Sequence, residues 1–399
     1  MSLDFTKVAA QMGSMIASLR SGSEKRHRHL QRALDVIADE TIDLAALRRK
    51  IASSKGKTTW LVADLVEGIT PHYGAPPVPT GFTVLATDGS QIDVDRHRST
   101  RCYLINIGAV ALHYGVHPIA TLDNFPRLYV EDDELVITQV EGQGREQPVE
   151  GALLGIKRTV EECRYLVKLA SEFEDSPTLA LLDGTLILWG LEAYPEFVTR
   201  ALLEKGFLVC LDELKKLNNG RKFAFASYIS FPRSTDVVNL LRLVICPYEP
   251  ADCDRYCATK ERDCDVVAGV RDSELFSNLL QAGERSALFI SPSKIIDKYY
   301  REHRIYFFYL KIDDEIARVE IPQWVAKDEG LLGLVHALAL DQCRRGHGYP
   351  VALSEAHERA VVTTADRENF WQLVESSLMD EKMPMVNSAK SRSKKMRWI

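Results

Sequence analysis

The sequence predicts an α/β protein: a mixed sheet core flanked by helices, preceded by an N-terminal helical arm. Three observations predict it. Apolar residues recur at helical spacing through the first fifty positions. Several β-branched and apolar runs of strand length follow from position 82. Two of those runs, "TVLATDG" and "LALLDG", end in Asp-Gly and are separated by one long amphipathic helical pattern.

In chain order, Phe5, Val8, Met12, Met15, Ile16 and Leu19 fall on one helical face, and Ser-Gly-Ser at 21–23 reads as a break. Leu30, Leu34, Ile37, Thr41, Leu44, Leu47 and Ile51 form a second seam, suited to dimerisation or to packing on the body. Residues 1–70 are therefore taken as a helical arm. "PHYGAPPVPTG" at 71–81 reads as a linker. A strand at 82–88 then ends at Asp88, and 101–115 and 127–142 supply further strands, with Asp132-Asp133 as a hairpin turn. A helix over about 150–173 buries Leu153, Ile156, Val160, Cys163, Val167 and Ala170. "SPTLALLDGTLILWG" at 176–190 reads as a strand with a second Asp-Gly, and its "LALLD" run closes on Asp183. Helices follow at 192–218, a strand at 223–231, a helix at 234–243 and a strand at "LVICP". Extended runs at 287–291 and 305–320, a helix at 328–345 and a short helical stretch near 357 complete a domain spanning 80–380. The tail 381–399 is basic, carrying Lys390, Arg392, Lys394, Lys395 and Arg397.

Composition narrows the class. The chain has 399 residues, 46% hydrophobic and 27% charged, with a formal net charge of -6. That charge argues against blanket coating of nucleic acid and leaves room for a local basic groove. No apolar run is long enough to span a bilayer and no signal-peptide profile opens the chain, so a cytoplasmic location is expected. No Gly-x-x-x-x-Gly-Lys-Ser/Thr pattern occurs, so a motor activity would have to come from a partner.

The acidic residues carry the chemistry. Asp-Gly alone is most often a plain turn. Here one aspartate closes an early strand (Asp88) and another a later strand (Asp183), with Glu161 and Glu162 on the helix between and His357 near the domain's end. Strand acid, helix acid, strand acid and a late histidine is the order of an RNase H-like nuclease core. In-line phosphodiester cleavage needs charge neutralised on the attacking and leaving oxygens, which two divalent ions about 3.5–4 Å apart supply. Carboxylates suit such hard cations. A histidine among them favours Mn²⁺ over Mg²⁺, and could also serve as general acid. Glu161 points away from the apolar stripe while Glu162 sits at its edge, so Glu162 is the expected third acid, with a solvated glutamate as the alternative.

The segments "VLATDGSQ", "LALLDGTLILW", "SYISFPRSTDVVNLLR" and "GYPVALSEAHERAVV" resemble, in this order, the motifs of the NurA nucleases. The resemblance implies an RNase H-like core and a homodimer enclosing a DNA channel. It also implies Mn²⁺-dependent 5′-to-3′ degradation of single- and double-stranded DNA, with endonucleolytic cuts in single strands. A hexameric HerA-type ATPase is the implied partner in DNA end processing. By motif, Asp88 and Asp183 would bind metal, His357 would be the late-helix histidine, and Tyr349 would belong to the site. Glu162 rests on helical phase instead, because the "SEFEDSPT" loop varies in length.

Three features remain. Arg233, Arg242 and Lys294 are the candidate phosphate contacts, with Arg233 foremost because it follows a strand end. Cys246, Cys253, Cys257 and Cys264, spaced C-x6-C-x3-C-x6-C, are read as free thiols in a long loop, with a Zn²⁺ or iron–sulfur site as the alternative. Two other functions compete. One is a dimeric DNA-binding scaffold that recruits the ATPase. The other, a haloacid-dehalogenase-like phosphatase, is disfavoured because Leu181 stands where its nucleophile would.

Overall fold

The structure is a computed structural model and describes residues 3–39, 43–95, 97–98, 100–139, 144–173, 176–257 and 262–383. The basic residues of the tail, Lys390 to Arg397, lie outside the described residues. The chain divides into two compact units. One comprises 1–75, 229–294 and 306–319, and the other 76–228, 295–305 and 320–399.

The second unit is built on a mixed sheet. Its strands are β1 (Phe82–Ile92), β2 (Tyr103–Tyr114), β3 (Ile119–Tyr129), β4 (Thr178–Asp183) and β5 (Phe223–Ile229). They lie in the order 3-2-1-4-5. β1, β2 and β3 pair antiparallel as a meander, while β4 joins β1 in parallel and β5 joins β4 in parallel. This is the RNase H-like arrangement. Parallel neighbours require a crossover, and helix α1 (Ala152–Ala170) provides the one between β3 and β4. Its buried Leu153, Val160, Cys163, Leu166 and Ala170 recur at three- and four-residue steps. They pack with Leu85, Leu182, Leu211, Phe223 and Phe225, all essentially solvent-free. Full burial of each such large side chain contributes about 1.5–3 kcal/mol. Near the chain's end follow α2 (Glu329–Arg345), α3 (Val351–Ala360) and α4 (Thr364–Asp380).

The first unit holds the N-terminal helices Phe5–Ile37 and Leu44–Ser54 with the helices Asp236–Ile245 and Asp272–Leu279. Its core gathers Ile37, Leu47, Val237, Leu241, Leu275, Phe276, Phe289, Phe307 and Tyr309. Asp272 organises it. Its buried carboxylate accepts from the amides of Val237 (3.1 Å) and Val238 (2.8 Å) and from the Tyr309 hydroxyl (2.7 Å). It thereby satisfies the open amides at the start of the Asp236–Ile245 helix.

Several local expectations are corrected. Ser-Gly-Ser does not break the first helix, which runs unbroken from Phe5 to Ile37 because the three residues are exposed and a single glycine costs a helix only about 1 kcal/mol. Asp132-Asp133 opens a one-turn helix, Asp132–Leu135, closed by a capping box from Glu131 and Glu134. Residues 72–74 of the expected linker form a short strand paired with Glu284–Ser286. "LVICP" is the end of the Asp236–Ile245 helix, whose buried face runs through Leu240, Leu241 and Leu243. Most consequential, Asp88 does not close a strand. β1 continues through Asp88, Gly89 and Ser90 to Ile92, held by unbroken pairing with β2.

Candidate functional site

Asp88 and Asp183 meet because of register. β1 and β4 pair in parallel with Thr87 opposite Leu182, so one residue further on the two aspartates stand side by side on neighbouring strands. Such strands lie about 4.8 Å apart. β4 ends at Asp183, and Gly184, at φ 84, turns the chain away while its amide donates to the Tyr228 carbonyl. Asp183 is exposed at the mouth of a cleft of about 440 Å³ lined also by Asp88, Arg158, Glu162, Thr185 and Trp189. Protein crowds its remaining sides. That burial raises its pKa, as does the neighbouring Asp88 charge, and the Tyr349 hydroxyl opposes both by donating to the carboxylate.

The two helical glutamates separate by face. Glu162 is buried, and its carboxyl is pushed up to about 8 by desolvation first and by the negative Asp88 and Asp183 as well; the Arg158 guanidinium holds it back. Arg158 Nε donates to Glu162 Oε1 at 3.0 Å, one helical turn away. The approach to the sheet is close: Thr87 Oγ1 donates to the Glu162 carbonyl at 2.9 Å, and a Cβ on Gly89 would stand 2.6 Å from Glu162 Oε1. A glycine after Asp88 thus leaves space for the glutamate rather than making a turn. Glu161, though away from the apolar stripe, is as buried as Glu162. It is buried beside Tyr103 and Tyr129 with Arg164 Nη1 donating to it at 2.6 Å, because the helix is covered on that side too.

His357 comes from the short helix α3, and its Nδ1 lies 2.7 Å from Asp88 Oδ2 with the ring largely exposed. What lets α3 lie so near is Gly108, the β2 partner of Asp88, where a Cβ would meet the Ala356 carbonyl at 2.1 Å. Asn106 Nδ2 then donates to the carbonyls of Arg359 and Ala360, at 3.1 and 2.9 Å, and Ser90 Oγ to that of Ala360, so the sheet caps the helix end. Tyr349 stands edge-on to Tyr228 at 5.6 Å, with its hydroxyl on Asp183 and its own pKa pushed far up by burial and that carboxylate.

Five of the expected residues, Asp88, Glu162, Asp183, Tyr349 and His357, therefore converge. The Asp88 charge raises the proton affinity of both Glu162 and Asp183, and with an imidazole beside the three carboxylates the donors fit hard divalent cations. The tightest grouping of metal-type donors among the described residues is elsewhere: Asp212, Glu302 and His303 lie within 4.8 Å of one another. There Lys215 already neutralises Glu302 and His303 bonds Asp212 at 2.7 Å, which makes it an ion-pair network. Two contributors were not foreseen from the sequence. Arg158 was signalled by its i, i+4 spacing to Glu162. Glu320, whose carboxylate accepts from Thr185 Oγ1 (2.8 Å) and the Leu186 amide (2.9 Å) and so fixes the loop after Asp183, gave no sequence signal.

Arg233, Arg242 and Lys294 belong to the other unit. Arg233 and Lys294 are exposed. Arg242 is not on a surface that DNA could reach: it is buried, lies 4.5 Å over the Trp60 ring and pairs with Asp265, because the Asp236–Ile245 helix is enclosed there.

A crystal structure of NurA is 12% identical, covering 76% of this chain and 90% of that one at a TM-score of 0.37. A second, of NurA with manganese, is 13% identical over 88% and 98% at 0.35. A third, of NurA bound to dAMP and manganese, is 14% identical over 72% and 86% at 0.33. No curated protein matches the chain. The family model described as the NurA domain matches residues 82–362, more than half of the sequence, and the chain belongs to the NurA domain family.

Proposed function

We propose that the protein is a metal-dependent deoxyribonuclease whose site is Asp88, Glu162, Asp183 and His357, with Tyr349 as a positioning residue. The observation that carries the reading is the in-register pair Asp88 and Asp183, faced by the buried Glu162, whose carboxyl burial and the two aspartates push up to about 8. Mn²⁺, or Mg²⁺ in its place, would neutralise the attacking and leaving phosphodiester oxygens. Asp88 and Asp183 would hold the ions, and Glu162 would join them on losing its proton. His357 orients the Asp88 carboxylate and stands exposed where it could pass a proton to a leaving oxygen. Tyr349 fixes Asp183. Arg158 and the exposed Arg233 and Lys294 are suited to phosphates, and Trp189 in the cleft wall offers a ring face for a base.

The finer activity follows the family: 5′-to-3′ exonuclease on single- and double-stranded DNA and endonuclease on single strands. It would act as a homodimer in DNA end processing with a hexameric HerA-type ATPase. A cytoplasmic setting is supported by eight cysteines with no disulfide among them, and no helix among the described residues is long and apolar enough to cross a membrane.

The test gives end-labelled DNA to the protein with Mn²⁺, with Mg²⁺ and with chelator, with and without the ATPase. Cleavage should require the metal and fall about 10³-fold in Asp88→Asn and in Asp183→Asn, the loss of roughly 4 kcal/mol of charge stabilisation. DNA binding without any cleavage would leave a scaffold that recruits the ATPase.

A further inference from the structure

We propose that Cys246, Cys253, Cys257 and Cys264 hold a [4Fe–4S] cluster that pins the long irregular segment after the Asp236–Ile245 helix. From Cys246 to Arg271, only a one-turn helix, Cys253–Tyr256, and a 3₁₀ turn, Asp263–Val267, are regular among the described residues. Irregular stretches of that length inside a compact unit need something to hold them. Ala251, Val267 and Val270 pack into the unit's core, but between them the segment is crowded with Asp, Glu, Lys and Arg. Yet Cys246, Cys253 and Cys264 are buried, and Cys257 is half-buried.

The fold gathers the four. Cys253 and Cys257 are one helical turn apart, joined by the Cys257 amide donating to the Cys253 carbonyl at 3.0 Å. Tyr248 and Tyr256 stack at 4.3 Å and fold the stretch following Cys246 onto that turn. Arg242 links the remaining pair: its carbonyl accepts from the Cys246 amide at 2.9 Å and its Nη2 lies 3.7 Å from Cys264 Sγ. Cys246 is within electrostatic reach of both Cys257 and Cys264.

Two observations choose the group. Around one Zn²⁺ the Zn–S bonds are about 2.3 Å, so its four sulfurs crowd within about 4 Å of one another. No three of these sulfurs lie within 4.8 Å of one another. A cubane places a separate iron under each thiolate and so accommodates sulfurs farther apart than a single Zn²⁺ does. In addition, the buried Arg242 Nε has no acceptor, while Lys50 Nζ donates to the Cys246 carbonyl. An unused buried donor and two cations beside four thiolates suit a group that is anionic overall and carries sulfides able to accept hydrogen bonds. Assembly is balanced: each of the four Fe–Sγ bonds replaces the bond from that iron to a thiolate of the donor that delivers the preassembled cluster, and the four thiol protons pass to the released donor thiolates, with no change of oxidation state.

The test is made on the full chain, purified without oxygen from iron-replete cells. Iron, acid-labile sulfide and zinc are measured together with the visible spectrum. The expected result is about four irons and four sulfides per chain with a broad visible charge-transfer band. Cys257→Ser and Cys264→Ser should lose most of the iron, while Cys102→Ser, altered in the other unit, keeps it. Zinc without sulfide, or four titratable thiols without metal, would overturn the cluster. The wild-type stoichiometry decides the matter even if the variants fail to fold. Nuclease activity enters none of these readouts.

Discussion

Glu162 shows how one residue couples stability to the site's chemistry. Its carboxyl is ordinary when unfolded and is pushed up to about 8 when folded, by burial and two nearby aspartates. Below the unfolded value both states hold the proton and pH has no effect. From there up to about 8 the folded state keeps a proton that the unfolded state has released, so stability falls as pH rises, at up to about 1.4 kcal/mol per pH unit for one proton. Chelator-treated protein should therefore have a lower urea midpoint at pH 8 than at pH 5, and Glu162→Gln should flatten that difference. If the slope persists unchanged in the variant, another group is responsible. Tyr349 acts on the same balance from Asp183: its hydroxyl opposes the raised pKa of that carboxylate. Tyr349→Phe should lower cleavage about tenfold, as expected for one lost hydrogen bond to a charged group. It should also move the rise of activity with pH upward, since Asp183 would release its proton later; a uniform loss at every pH would assign the hydroxyl a merely structural part.

At the level of elements, glycines and caps do what apolar patterning cannot. α3 reaches Asp88 only because Gly108 carries no Cβ where the Ala356 carbonyl passes. Two backbone segments are in contact, so no rotamer change can relieve an added atom. Gly108→Ala should keep its circular dichroism but lower cleavage about 10–100-fold, the usual effect of disturbing a metal ligand's support. The loss should match that of His357→Ala, and the double variant should add little; additive losses would separate the glycine from the histidine. In the other unit, Asp272 carries the start of the Asp236–Ile245 helix and is pushed up to about 6 by burial and by Asp236 beside it. Asp272→Ala should cost about 3 kcal/mol by leaving the buried amides of Val237 and Val238 without their acceptor, read as a drop in denaturant midpoint.

For the molecule as a whole, metal binding and folding are linked. A cation that binds only the folded site at a hundred times its Kd adds about 2.7 kcal/mol of stability. Mn²⁺ should thus raise the melting temperature of the wild-type protein, and should do so far less in Asp88→Asn or Asp183→Asn. An equal rise in all three would place the ion elsewhere, with the Asp212, Glu302 and His303 group as the first alternative. At this scale the sequence was legible where period carried the signal. The 150–173 helix and the strand ending at Asp183 stand where the pattern put them, and the 3-2-1-4-5 sheet has the expected RNase H-like form. It misled where one short cue stood for a structure, as with Asp88-Gly89 inside β1 and Ser-Gly-Ser inside the first helix.

The sequence by itself determined which residue types are available to the site and in what order. It also favoured Glu162 over Glu161, since helical phase is a local property that can be read without the fold. Only the tertiary structure decided why Asp88 is followed by glycine, that Glu161 is buried, that Arg242 is enclosed, and that Arg158 and Glu320 belong beside the aspartates. Each of these depends on register between strands or on what covers a helix, and such contacts join residues dozens or hundreds of positions apart. A period of two or 3.6 records which face a side chain takes; it holds no record of what that face will meet.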